Sequence, residues 1–213
     1  RAGYRFTTTD PDLTLGYHAS VSPDGVATFP YPRGRVLGGS SSINGMIYLR
    51  GQAADFDHWA QSGCTGWGWD DVLPLFRRAE RWTGPDAGKP GGELGKNGPL
   101  ALSPIALHPV SDALLRAASE AGHPRLASLN SGAARGFGSI EVSMEKGKRA
   151  STSVAYLRPA MGRSNLAVET GAQVTRVVIE GGRAAGIRLV KDGQKQFVPC
   201  SGEVILCAGA INS

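Results

Sequence analysis

Several common signatures are missing from this sequence. The three cysteines, Cys64, Cys200 and Cys207, are odd in number and form no CxxC pair, so they spell neither a disulfide framework nor a zinc site. Cys207 lies in an apolar run and reads as a small core hydrophobe. A reducing compartment, the cytoplasm, suits such a set. His18, His58, His108 and His123 never stand at metal-ligand spacing, and two of them precede proline. They read as structural or surface residues, and no metal ligand set is expected. No GxGxxG opens a helix, no Walker A sequence occurs, and no GxSxG elbow is present. No run approaches the roughly 18 apolar residues of a membrane span, and no leader peptide is recognisable. Charge is nearly balanced: 23 Lys and Arg against 18 Asp and Glu give a net +5. No four basic residues are consecutive, which favours a solvated surface over a nucleic-acid stripe. The chain opens on Arg1 and stops at Ala210-Ile211-Asn212-Ser213 straight after an apolar run, so we expect an internal piece of a longer protein.

What is present is a chain able to build a core: 213 residues, 22.3 kDa, 41% hydrophobic and 19% charged. Glycine, at 30 residues, is about twice as frequent as the usual ~7%, which points to many tight turns. Residues 1–32 read as extended and turn-rich. Ala53 to Gln61 has helical spacing. Asp70 is placed to cap a helix running to about Trp82, with Val72, Leu75, Phe76 and Ala79 on one face and Pro74 in its first turn. Residues 83–99, with six glycines and three prolines, read as a long loop or lid. Ser111 can cap a helix carrying Leu114, Leu115, Ala118 and Ala121 that ends at Gly122. A loop is expected from His123 to Gly138, and a short helix within Ser151–Met161. Strands are expected at Leu166–Thr170, Gln173–Glu180, Ala184–Lys191 and Lys195–Cys200, with turns at Gly181-Gly182 and Asp192-Gly193. Val204–Ala208 is uninterruptedly apolar, as a strand buried on both faces of a parallel sheet would be. Without strand neighbours it would favour aggregation.

The most informative stretch is Gly34-Arg35-Val36-Leu37-Gly38-Gly39-Ser40-Ser41-Ser42-Ile43-Asn44-Gly45-Met46-Ile47-Tyr48-Leu49-Arg50-Gly51. A flexible linker would not be flanked by such apolar residues. Paired glycines allow a close backbone approach, and the three hydroxyls and Asn44 supply directional polar groups. The apolar neighbours can wall in something flat. Few polar groups in an apolar lining make a ligand pocket. Trp59, Trp67, Trp69 and Trp82 read as packing residues rather than ligand stackers.

Gly34 to Asp57 is similar to the first signature of the glucose–methanol–choline (GMC) oxidoreductases, through Gly-Arg-x-Leu-Gly-Gly-Ser-Ser, Ile43-Asn44, Tyr48, Gly51 and Asp57. Asp55-Phe56-Asp57-x-Trp59, Gly66 to Phe76, Tyr156-Leu157-Arg158-Pro159-Ala160, Asn165-Leu166-x-Val168 and Gly171-Ala172-x-Val174-x-Arg176 resemble the choline-dehydrogenase-like branch. Gly209 to Ser213 resembles the opening of the second signature. The resemblance covers nearly the whole chain.

The resemblance implies an α/β fold, α+β in the substrate part, with interleaved FAD and substrate domains. Residues 1–60 would carry the flavin loop, 61–164 a helical and loop region partly of the substrate domain, and 165–213 strands returning to the FAD domain. It implies FAD contacts at Val36, Gly38, Gly39 and Ser40 along the flavin and pyrophosphate, and at Asn44, Gly45, Met46 and Ile47 beside the ring. Val174 would face the adenine, and Ala208 and Gly209 would end a strand of the FAD sheet. No catalytic residue is expected within these 213 residues, because the family's histidine lies further on. The chain alone is accordingly expected to be inactive and to hold FAD weakly. Relatives with a covalent flavin carry a histidine where Ile43 stands, so non-covalent FAD is expected. The implied activity is oxidation of a primary alcohol, choline-like or aliphatic, with electrons passing to a quinone, a dye-like acceptor or oxygen. No nucleic-acid partner is implied; attachment at the inner membrane surface stays open. A lyase of the same fold and a non-catalytic FAD-binding protein are the alternatives.

Overall fold

The computed structural model describes residues 3–84, 94–130, 132 and 135–213. Two compact units are present, Arg1–Gly162 and Arg163–Ser213.

The first unit begins with a helix, α1 (Gly3–Thr9), where an extended segment was expected. Threonine hydroxyls can return bonds to the preceding turn, and Thr9 Oγ1 donates to the Phe6 carbonyl at 3.4 Å. β1 (Thr14–Ser20) and β2 (Thr28–Gly34) form an antiparallel hairpin, Thr14 opposite Gly34. A short tight helical turn, Gly39–Ser42, leads to β3 (Ile47–Tyr48). α2 (Ala53–Gln61) has the predicted bounds; the Gln52 N–H donates to Asp55 Oδ2 at 2.8 Å and closes its first turn.

α3 spans Trp69–Ala79. Its cap is Gly68 rather than Asp70, because Asp71 reaches back to accept the Gly68 N–H at 3.2 Å. Pro74 therefore lies two residues deeper than expected, in the second turn rather than the first. The helix stops at Ala79 rather than Trp82, since Glu80 turns extended and starts β4 (Glu80–Trp82). β4 runs parallel to β5 (Leu100–Pro104). Of the expected 83–99 loop, 85–93 lie outside the described residues; Leu94, Gly95 and Gly98 are buried, with the Trp82 N–H donating to the Gly95 carbonyl at 2.8 Å and the Gly98 N–H to the Glu80 carbonyl at 2.7 Å, while Lys96 and Asn97 are exposed. A Cβ on Gly95 would stand 1.9 Å from the Arg77 carbonyl oxygen, so only glycine fits there.

α4 (Pro109–Glu120) is capped by His108, whose Nδ1 accepts the Val110 N–H at 3.3 Å; the expected cap, Ser111, falls inside the first turn. Pro109 sits at the first helical position, where its fixed φ suits the start. β6 (Glu141–Val142) completes a four-stranded sheet in the order β3-β6-β5-β4. β7 (Met144–Glu145) and β8 (Lys148–Arg149) form a small hairpin. A wide helical turn, Ser153–Leu157, runs into α5 (Arg158–Ala160). The core gathers Ile43, Phe56, Val72, Leu94, Leu102, Val142 and Ala155. Phe56 meets Trp59, Trp69 and Phe76 with ring centroids 5.3–5.8 Å apart, so three of the four tryptophans pack in one aromatic cluster with Trp67 against Trp59.

The second unit is an antiparallel sheet of β9 (Ala172–Glu180), β10 (Arg183–Lys191) and β11 (Gln194–Pro199), joined at the two predicted turns, and ends in a short helix α6 (Gly209–Asn212). Two expected strands do not form. Leu166–Thr170 has no strand partner among the described residues. Val204–Ala208 is unpaired as well, with Ile205 74% and Leu206 55% exposed, and Cys207 is exposed rather than a core residue. An apolar run becomes a buried strand only where strands flank it and layers cover both faces; the β9–β11 sheet offers it neither.

Candidate functional site around the glycine and serine loop

β2 delivers the chain into the loop at Gly34, whose N–H donates to Ser40 Oγ at 3.1 Å. Gly38 has φ +89°, a left-handed conformation, and a Cβ there would come within 3.1 Å of the Ser153 backbone nitrogen. Glycine thus lets the loop turn and press on the Ser153–Leu157 segment at once. The serines fold the loop itself. Ser41 Oγ donates to the Gly38 carbonyl at 2.5 Å and accepts the Thr152 N–H at 3.0 Å, while Ser42 Oγ donates to the Leu37 carbonyl at 2.8 Å. The hydroxyls expected to face a ligand are largely committed to the chain.

Beyond the serines the loop changes character. Ile43 is buried, only 4% exposed, so its side chain belongs to the core. Asn44 and Gly45 are exposed. Asn44 Oδ1 accepts from Arg149 Nη1 at 2.7 Å and from the Met46 N–H at 3.0 Å. Met46 takes φ +64°, unusual without glycine, and its carbonyl is clamped by the Ser143 N–H at 2.8 Å and the Ser143 hydroxyl at 3.2 Å.

The next four residues alternate against the usual pattern. Ile47 and Leu49 are 60% and 61% exposed, while Tyr48 and Arg50 turn inward. The polar pair is drawn in by Glu80, which is fully buried. Glu80 accepts from Arg50 Nε at 2.7 Å, Arg50 Nη2 at 2.5 Å, the Tyr48 hydroxyl at 2.6 Å and the Gly95 N–H at 2.8 Å. Asn130 extends the network: it accepts the Arg50 N–H at 2.7 Å and donates to Glu141 at 2.9 Å. Burial would raise the Glu80 carboxyl, but the bonds from Arg50, Tyr48 and Gly95 outweigh it and hold it below the usual carboxylate range. Burial and the bond to Glu80 push the Tyr48 phenol up, so it stays protonated. The result is an apolar ledge, Ile47 and Leu49, turned outward beside the exposed Asn44 amide and braced from behind by a satisfied ionic network.

Of the residues singled out by sequence, Val36, Gly38, Gly39, Ser40, Asn44, Gly45, Met46 and Ile47 form one continuous loop. Val174, Ala208 and Gly209 belong to the other unit. Val174, on β9 opposite Leu189, is 43% exposed; Ala208 and Gly209 follow the unpaired run. Sequence reasoning missed Glu80, Asn130, Glu141 and Arg149. The available signal was the alternation Ile47-Tyr48-Leu49-Arg50, whose polar members need buried partners if the apolar ones face out. No cluster of metal ligands occurs, and no helix is long and apolar enough to cross a membrane, among the described residues.

Comparison with known proteins gives the family. The profile of the family described as GMC oxidoreductase matches residues 13–213. The chain is 44% identical over 182 residues to the oxygen-dependent choline dehydrogenase of Photobacterium profundum, covering 85% of this chain and 32% of that protein. Among solved structures it resembles pyridoxine 4-oxidase from Mesorbium loti, with a TM-score of 0.82 at 30% identity, covering 93% of this chain and 39% of that one. It also resembles an FAD-dependent oxidoreductase from Chaetomium thermophilum, with a TM-score of 0.80 at 26% identity, covering 89% and 35%. The chain spans about a third of the length of the curated relatives it matches. With its α/β fold shared by these structures and its profile match spanning nearly all residues, the chain belongs to the GMC oxidoreductase family.

Proposed function

We propose that the whole protein is an FAD-dependent oxidoreductase acting on the CH–OH group of a primary alcohol, choline-like or aliphatic. The carrying observation is the ledge: two large apolar side chains held outward beside an open amide and a glycine turn. These residues fit a flat, partly polar ring. A Cβ on Gly45 would meet nothing within 4 Å, leaving room over the loop. Bound FAD would supply the two-electron acceptor for oxidation of the alcohol to an aldehyde, and a base outside these 213 residues would take the hydroxyl proton.

This chain's part is to bind and orient. Val36, Gly38, Gly39 and Ser40 would hold the flavin and pyrophosphate portion, and Asn44, Gly45, Met46 and Ile47 the ring. Val174, Ala208 and Gly209 would serve the adenine side and the sheet end. Residues 1–60 and 165–213 would then act as FAD domain and 61–164 partly as substrate domain. Ile43 has no nucleophilic atom, and no imidazole, thiol or phenol lies between Gly38 and Ile47, which supports non-covalent FAD. The electron acceptor would be a quinone, a dye-like molecule or oxygen. The three free cysteines favour the cytoplasm, the inner membrane surface included.

Anaerobic addition of a primary alcohol tests the reading. Bleaching of the flavin in the whole protein is expected; a flavin that stays yellow with every alcohol would overturn oxidation in favour of a lyase. Acid precipitation should release yellow FAD into the supernatant, and colour held in the pellet would refute non-covalent binding.

A further inference from the structure

Arg149 stands on β8, outside every motif that pointed to the cofactor, yet it reaches the loop. Its Nη1 donates to Asn44 Oδ1 at 2.7 Å and to the Ser41 carbonyl at 3.1 Å. No carboxylate among the described residues pairs with it. Its partial burial pulls its pKa below the ordinary guanidinium value, with no opposing acid. A half-desolvated cation is thus held only by carbonyl and amide oxygens.

That contact settles which end of the Asn44 amide faces out. The oxygen has two lone pairs, and Arg149 and the Met46 N–H use both. Flipping the amide would set its NH2 against two donors and lose two hydrogen bonds, one of them charge-assisted. The Nδ2 group has no partner in the chain among the described residues, and Asn44 is exposed. The β7–β8 hairpin that carries Arg149 is itself tied to the loop, since Ser143, just before it, clamps the Met46 carbonyl.

We propose that Arg149 is a positioning residue for the cofactor: by holding Asn44 Oδ1 it fixes Nδ2 as an outward donor to a carbonyl oxygen of the flavin ring. This rests on the reading of the loop as the flavin site. Such acceptors gain electron density on reduction, so a fixed donor polarised by a neighbouring cation binds the reduced ring more strongly than the oxidised one. Arg149 thereby raises the reduction potential without touching substrate.

The test measures the flavin midpoint potential and the FAD dissociation constant in the whole protein. Arg149→Met should cut the preference for reduced over oxidised flavin tenfold or more, a fall of about 30 mV for a two-electron couple. Arg149→Lys should retain most of it. Asn44→Leu should match Arg149→Met, and the double variant should add nothing. An unchanged potential in Arg149→Met, or its full effect persisting in the Asn44→Leu background, would overturn the proposal. Should Arg149→Met fail to fold, Asn44→Leu decides, because that exposed side chain does not support the core; an unchanged potential there is equally fatal. Gly45→Val separates the two levels. If it leaves FAD affinity and spectrum untouched, the loop is not the flavin site and both readings fall. If it expels FAD while the potential ignores Arg149 and Asn44, only the positioning role falls.

Discussion

Two segments stood out in the sequence, the glycine and serine loop Gly38–Ile47 and the apolar run Val204–Ala208 that leads into Gly209, and they differ in how their shape is held. The first is fixed from three sides: Thr152 and Ser153 below, Arg149 and Ser143 beside it, and Glu80 behind the strand that leaves it. The second is apolar throughout yet exposed and unpaired, with Ile205 74% exposed. The difference is one of polar anchoring. A loop whose serines and amide satisfy its own backbone needs few neighbours to take one conformation. An all-apolar run contains no such instructions, and its conformation depends on strands supplied from elsewhere.

The comparison is broken most severely at Glu80. Glu80→Gln should destabilise the first unit by about 3–5 kcal/mol, because Arg50 is left buried without its counter-charge. Denaturant unfolding reads this directly, and a variant as stable as the parent would mean the network does not brace the ledge. The same carboxylate sets an acid limit. Its folded pKa is depressed, so its contribution is present above the ordinary carboxylate range and is lost as pH falls through the folded value. The glutamine variant should lose that acid-side slope.

A smaller effect is expected at the turn. Gly38→Val forces a β-branched residue to φ +89° against Ser153 and should cost about 1–3 kcal/mol, with the loop displaced. Gly38→Val proteins melting like the parent would show that the turn tolerates side chains. Ser41→Ala removes the bonds to Gly38 and Thr152 and should cost about 1 kcal/mol by the same denaturation assay. The smallest change belongs to the other segment. Ile205→Ser should shift stability by no more than about 0.5 kcal/mol while making the chain more monodisperse in light scattering. A loss above about 1 kcal/mol would show that the run is covered after all.

Local chemistry was legible in the sequence wherever short-range bonds decide the outcome. The bounds of α2 were readable from its apolar spacing and coincide with the closure that Asp55 makes at Gln52, and the turns at Gly181-Gly182 and Asp192-Gly193 are written in residues that accept positive φ. The glycine and serine loop was recognisable for the same reason, and its family with it. Tertiary contacts decided the rest. α3 stops at Ala79 because Glu80 is claimed by Arg50 and Tyr48, some 30 residues earlier in the chain. The outward aim of Ile47 and Leu49 follows from that same capture, and the aim of Asn44 from Arg149, 105 positions away. Sequence spacing encodes which backbone groups can satisfy one another nearby. It does not encode which distant charge will meet a buried polar side chain, and in this protein that meeting decides which side chains the strand after the loop turns outward.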